Sequence, residues 1–154
     1  MCYNQYNKPE NGRNGGDKMA VRENFSRKRA AIYDAVCATK VHPTAEWVYE
    51  ALKPDYPDLS LGTVYRNLKK FCESGRIRRV GVINGQEHFD GDVSKHGHFV
   101  CSTCGRVLDI FEPLVREETV AELEEKYALL IQGEDILFNG ICPDCQTKAE
   151  STAG

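Results

Sequence analysis

Two Cys-x2-Cys pairs, Cys101–Cys104 and Cys142–Cys145, are separated by the whole of residues 105–141. Two residues between cysteines let both thiolates approach one tetrahedral ion, and Gly105 and Pro143 suit the tight knuckles this requires. The intervening stretch is longer than the roughly 15–20 residues of a common zinc ribbon. It reads as more than a loop: short strands at His98–Val100 and Val107–Phe111, a helix with acidic early turns over Pro113–Tyr127, and a strand at Ile136–Ile141. An ion on all four cysteines would join the beginning of this small α/β unit to its end. A unit of fewer than about 60 residues has a marginal core, so a metal or a partner subunit is expected. Redox-active Cys-x-x-Cys is the main rival. That chemistry needs a pair at a helix start with a lowered thiol pKa, whereas here both pairs are expected on strand ends. Cys37 and Cys72 fall on apolar helix faces as small core residues, and Cys2 lies in the N-terminal stretch without an assigned role.

Charge divides the chain. The net −3 of the 154 residues argues weakly against a nucleic-acid partner, but residues 18–95 carry 14 Lys/Arg against 10 Asp/Glu and residues 96–154 carry 4 against 11. The basic part could meet phosphates, and the boundary falls near Asp92–Lys95. Residues 1–17 are Asn- and Gly-rich without apolar periodicity, which predicts a disordered tail and makes Met19 a candidate natural start. With 41% hydrophobic and 28% charged residues the composition is that of a globular chain. No apolar run approaches the roughly 18 residues needed to span a bilayer, so the expectation is a cytoplasmic protein with no membrane partner.

Within the basic part the pattern predicts three helices and a hairpin. Ser26 can cap a helix carrying Ile32, Tyr33 and Val36, and Thr44 after Pro43 can cap a second over Glu46–Leu52. Ser60 caps a third, in which Leu61, Val64, Leu68 and Phe71 recur at helical spacing and Gly75 marks the end. Its opposite face is expected to show Thr63, Arg66, Asn67 and Lys70. Asn84-Gly85, between Arg78–Ile83 and Gln86–Asp90, is the strongest two-residue signal for a tight hairpin. This is the order of a winged helix.

A second ligand set differs in chemistry. His96 and His98 at i, i+2 share one face of a strand, Asp109 follows on the next strand, Asp90 lies at the boundary, and His42 precedes the second helix. Nitrogen and carboxylate donors without thiolate suit Fe(II), Mn(II) or Zn(II), whereas four thiolates select zinc and leave no open position. A surface histidine pair is also often merely solvated. His88 reads as a wing residue or an extra ligand. A metalloenzyme could use the same donors, but no nucleophile motif accompanies them. A zinc-stapled interaction module would leave His42 and Asp90 unexplained.

These residues together resemble the ferric uptake regulator family of bacterial metal-dependent repressors over about residues 22–146. The resemblance rests on His42-Pro43-Thr44-Ala45, Leu61-Gly62-Thr63-Val64-Tyr65-Arg66-Asn67-Leu68, Phe89-Asp90, His96-x-His98, Cys101-x2-Cys104-Gly105, Asp109 and Cys142-x2-Cys145. It implies an α+β fold: a disordered tail over 1–18, a winged-helix DNA-binding domain over 19–92, a metal-binding dimerisation domain over 93–148 and a short tail over 149–154. It further implies structural zinc on Cys101, Cys104, Cys142 and Cys145, and a regulatory Fe(II) or Mn(II) on His42, Asp90, His96, His98 and Asp109.

Aspartate at both 90 and 109 resembles the peroxide-sensing branch, since iron sensors usually carry Glu there. His96-Gly97-His98 lacks the extra His and Asp common in iron sensors, and no histidine follows residue 98. Arg66, by contrast, resembles the iron-sensing recognition helix. The implied function is a repressor that binds palindromic double-stranded operator DNA as a homodimer and releases it when bound iron and peroxide oxidise a ligand histidine, His42 or His96. An iron-responsive or other metal-responsive uptake repressor is the alternative. In a dimer the ion would set the separation of two recognition helices, which must enter major grooves about one helical turn apart or a multiple of it. Arg66 is the expected base contact, with Thr63, Tyr65 and Asn67 secondary. Lys69, Lys70, Arg78 and Arg79 are expected on phosphates, as are Arg27, Lys28 and Arg29.

Overall fold

The computed structural model describes residues 19–152, and the N-terminal tail expected over 1–18 lies outside them. The chain forms two compact units that part after Val93.

The first unit holds three helices and a hairpin: α1 (Met19–Cys37), α2 (Ala45–Leu52), α3 (Leu61–Glu73), β1 (Arg78–Ile83) and β2 (Gln86–Asp90). Two of the expected caps form. Thr44 accepts from the Trp47 N–H at the start of α2, and Ser60 accepts from the Thr63 N–H at the start of α3. Helix α1 corrects the expected cap at Ser26, because it begins at Met19 and runs through that serine. No Gly or Pro lies between Lys18 and Cys37, so nothing in that stretch stops the helix earlier. Asn84 and Gly85 sit at φ 52° and 81°, the pair of positive values that matches a tight turn to the twist of its strands. Ile32, Val36, Ala45, Val48, Leu59, Val64, Leu68, Phe71, Ile77 and Phe89 form one buried cluster joining all three helices to the hairpin.

The second unit is a three-stranded sheet in the order β4-β3-β5, from β3 (Gly97–Cys101), β4 (Val107–Ile110) and β5 (Leu137–Gly140). β4 pairs antiparallel with β3, while β5 returns parallel to β3 after α4 (Glu117–Tyr127). Helix α4 starts four residues later than the expected Pro113. The Leu114 side chain instead lies over Gly97, and a Cβ on that glycine would stand 2.4 Å from Leu114 Cδ1. The last described element is α5 (Pro143–Thr152), so the expected tail from residue 149 is helical to Thr152. Proline as first helical residue and Asp144 in the first turn were the available start signals. The buried apolar side chains of this unit are only Val100, Cys101, Val107 and Cys142, among the described residues. So small a core needs another source of stability.

Candidate metal centres and recognition helix

The four cysteines converge. Cys101 closes β3, Cys104 follows in the β3–β4 turn, Cys142 directly precedes α5 and Cys145 lies in its first turn. Their sulfurs all lie within 4.8 Å of one another, and Cys104 Sγ and Cys142 Sγ are 3.8 Å apart. Sulfurs about 2.3 Å from a shared tetrahedral ion stand about 3.8 Å from each other, so the cluster has the dimensions of a closed four-thiolate zinc site. Backbone geometry builds it from both ends. The Cys142 N–H donates to Cys101 Sγ at 3.3 Å, Gly105 at φ 73° donates to the Cys101 carbonyl at 2.8 Å, and the Cys145 N–H donates to the Cys142 carbonyl at 3.0 Å.

One expectation is corrected here, since the second pair sits at a helix start and not on a strand end. The redox reading gains nothing from it. The lowered thiol is Cys101, on the other pair, which the Cys142 N–H pulls down to about 6. Hydrogen bonding to the Cys142 sulfur pushes Cys145, the cysteine on the helix, up to about 12. A reactive dithiol needs its lowered thiol at the helix start, and here the lowered thiol ends a strand.

Three members of the second ligand set meet on one face of the three-stranded sheet. His98 lies opposite Asp109 across the β3–β4 ladder, and His96, two residues earlier, points to the same side although it precedes the strand. Asp109 Oδ1 is 3.6 Å from His96 Nε2 and 3.7 Å from His98 Nε2, and the two Nε2 atoms are 3.1 Å apart. His96 Nδ1 donates to the Ser94 carbonyl at 3.0 Å, which leaves its Nε2 lone pair directed into the cluster. Two imidazoles and a carboxylate this close fit a divalent ion that takes nitrogen and oxygen ligands.

The other two members belong to the first unit. Asp90 ends β2, and its Oδ1 accepts from the Asp92 N–H at 2.8 Å. His42 stands in the loop before α2 at φ 51°. His88, left open between wing residue and ligand, donates from Nδ1 to the His42 carbonyl at 2.6 Å.

Helix α3 presents Tyr65, Arg66, Lys69 and Lys70 as exposed and Thr63 as half-exposed. Asn67 departs from the expected outward face. It lies one turn from Val64 and is 3% exposed, with its Nδ2 donating to the Thr63 carbonyl at 2.8 Å. At this helical phase the side chain lies beside the core stripe, so it is withdrawn from any ligand of the outer face. The others are already oriented: Arg66 donates to Thr63 Oγ1 at 3.0 Å, and the Tyr65 hydroxyl donates to Glu46 Oε1 at 2.6 Å. The spacing of Glu46 and Tyr65 gave no signal of that pair. On the hairpin, Arg78 is half-buried, and exposed Arg79 pairs with Glu87 at 3.1 Å. Of the α1 cations, Lys28 pairs with Asp58 and Arg29 lies over the Phe71 ring.

The model of the ferric uptake regulator family matches residues 22–134. The chain belongs to that family. Among its relatives, the peroxide-responsive repressor PerR of Staphylococcus saprophyticus is 33% identical over 122 residues, covering 79% of this chain and 81% of that protein. PerR of Staphylococcus aureus is 31% identical over the same shares. Among solved structures, the peroxide stress regulator of Campylobacter jejuni superposes with a TM-score of 0.70 at 26% identity, over 86% of this chain and all of the other. A zinc uptake regulator complexed with zinc and DNA superposes with a TM-score of 0.62 at 20% identity, over 88% and 92% of the chains, a likeness of fold. No helix among the described residues is long and apolar enough to cross a membrane.

Proposed function

We propose that this ferric uptake regulator family member is a homodimeric, metal-dependent repressor that binds palindromic operator DNA through α3 and the β1–β2 wing and releases it in response to peroxide. Zinc on Cys101, Cys104, Cys142 and Cys145 holds the second unit together. Fe(II) or Mn(II) binds His42 and Asp90 of the first unit with His96, His98 and Asp109 of the second, so ion binding restricts the angle between a DNA reader and a dimerising half. An ion that binds one arrangement only shifts the population by its differential affinity, and a few kcal/mol is enough to change operator occupancy.

The observation that carries this reading is the Asp109 carboxylate beside His96 and His98, at 3.6 and 3.7 Å, in a chain with aspartate at both acidic positions. Similarity to peroxide-responsive repressors supports it. Dimerisation is supported by α4, which buries none of its residues and leaves Leu123 and Tyr127 exposed, and by exposed Leu137 and Phe138 on β5. Bound Fe(II) would supply the electron that cleaves peroxide, and Mn(II) would not. The chain's part is to hold the imidazoles of His42 and His96 where oxidation removes a nitrogen donor and weakens the closed arrangement.

The test is to load the zinc protein with Fe(II) or Mn(II), expose both to peroxide and digest them for mass spectrometry. Added oxygen on a peptide carrying His42 or His96 in the iron sample alone is expected. Its absence would shift the reading to an iron-responsive repressor, which the resemblance of Arg66 to iron sensors favours. Ion-dependent retardation of a palindromic duplex is expected in either case.

A further inference from the structure

His42 is held in an unfavourable backbone state. Its φ of 51° is in the left-handed region, and the proline that follows favours extended conformations for the residue before it. Such a state persists only where the surroundings over-determine it. Downstream, the fixed φ of Pro43 and the Thr44 cap lock the entry to α2. Sideways, two hydrogen bonds tie the loop to β2: Phe89 N–H donates to the Pro43 carbonyl at 3.0 Å, and His88 Nδ1 donates to the His42 carbonyl at 2.6 Å. A carbonyl can only accept, so His88 carries its proton on Nδ1. The His88 contact comes from a side chain and can be removed by substitution. Across the hairpin His88 faces Gly81, which presents no side chain to compete for the space.

We propose that His88 is a positioning residue for the regulatory ion: its imidazole clamps the His42 carbonyl, holds that backbone in its left-handed state and fixes the spacing of His42 from Asp90 before the ion arrives. This rests on the reading of His42 and Asp90 as ligands. His88 and Asp90 alternate along β2 and so share a face, while Phe89 between them is buried in the core. One strand therefore carries a donor residue and also the clamp that orders the loop bearing a second. Without the clamp, the ion must pay for ordering the loop when it binds, and its affinity falls by that amount.

The test is Mn(II) titration of the zinc-loaded full chain, followed by the paramagnetic resonance of free Mn(II), for wild type and the variants His88→Ala, His88→Asn and His42→Ala. The Asn amide nitrogen occupies the position of Nδ1 and keeps the donor. His88→Ala is expected to weaken Mn(II) by about tenfold, the upper range for one hydrogen bond, with His88→Asn within about threefold of wild type. His88→Ala at wild-type affinity beside a weakened His42→Ala overturns the inference. Equal losses in His88→Ala and His88→Asn also overturn it, and identify the imidazole itself as a ligand. His42→Ala at wild-type affinity refutes instead the underlying assignment of His42. If the alanine variant loses its helical circular dichroism, the asparagine variant decides alone, since near-wild-type affinity supports the clamp and a tenfold loss excludes it.

Discussion

Asp109 faces His98 directly across the β3–β4 ladder, with its Oδ1 3.7 Å from His98 Nε2. The register of one antiparallel pair thus places a carboxylate beside two imidazoles. Asp109→Asn keeps the shape and removes the charge. Mn(II) affinity is expected to fall on the order of 10- to 100-fold, the range seen when even the outer partners of metal ligands are lost. Zinc content should not change. Isothermal titration with a zinc assay on the same sample checks both.

Gly97 lies between the two histidines, and its smallness has a structural use. A Cβ there would meet Leu114 Cδ1 at 2.4 Å and the Ile136 carbonyl at 3.3 Å. Leu114 Cδ1 is the far end of an exposed side chain that can swing aside, so the Ile136 carbonyl sets the cost, and Gly97→Ala should destabilise the protein by about 1 kcal/mol, the low end of overpacking. Adding Leu114→Ala removes a contact that already yields and should recover little of the loss. Urea denaturation of the single and double variants measures the coupling.

Much of this was legible from residue spacing. The capped starts of α2 and α3, the Asn84-Gly85 turn and the cysteine pairs are local signals that tertiary context did not override. What spacing could not show were contacts between distant residues. His88 and His42 meet across 46 positions, and Tyr65 and Glu46 across 19. Asn67 departs from its expected face for a different reason: a polar residue at the edge of a helix's apolar stripe can turn inward if its amide finds a backbone carbonyl. Helix α5 is hard to see in the sequence because its ten residues carry little apolar periodicity, although Pro143 and Asp144 mark its start.

Zinc removal should undo the second unit selectively. With four buried apolar side chains among its described residues, it would depend on the proposed zinc, a bond set worth on the order of 10 kcal/mol in structural zinc peptides. Cys142→Ser, or exhaustive chelation, should abolish hydrogen-exchange protection of the β3 and β5 amides. Amides of α3, on the ten-member core of the first unit, should retain theirs.

Glu46 and Tyr65 give a pH signature. The Tyr65 hydroxyl holds the Glu46 carboxyl below the usual glutamate range, and the same bond raises the phenol. A lowered carboxyl contributes stability above its unfolded value of about 4.3, and loses it as pH falls through the folded value. Glu46→Gln should therefore narrow its stability gap from wild type as pH drops from about 5 to about 3. The Tyr65 phenol should titrate closer to about 10 in that variant, followed by ring-carbon NMR.

Arg66 and Lys70 should separate reading from holding. Arg66→Ala is expected to lose discrimination between operator and random duplex, by about 1–3 kcal/mol if the guanidinium reads a guanine. Lys70→Ala should weaken both duplexes alike and flatten the salt dependence by about one ion. Anisotropy titrations on the two duplexes at several salt concentrations distinguish these outcomes.

The parallel pairing of β3 with β5 has a consequence for biosynthesis. Every member of the first unit's core has been translated once Phe89 is made, so that unit can fold while the ribosome is still extending the chain. The second unit cannot. Strand β3 waits for residues 137–140, and Cys101 and Cys104 wait for Cys142 and Cys145. For that interval a nascent chain with a finished first unit carries two uncommitted thiols, and the proposed zinc site can close only after they meet the second pair.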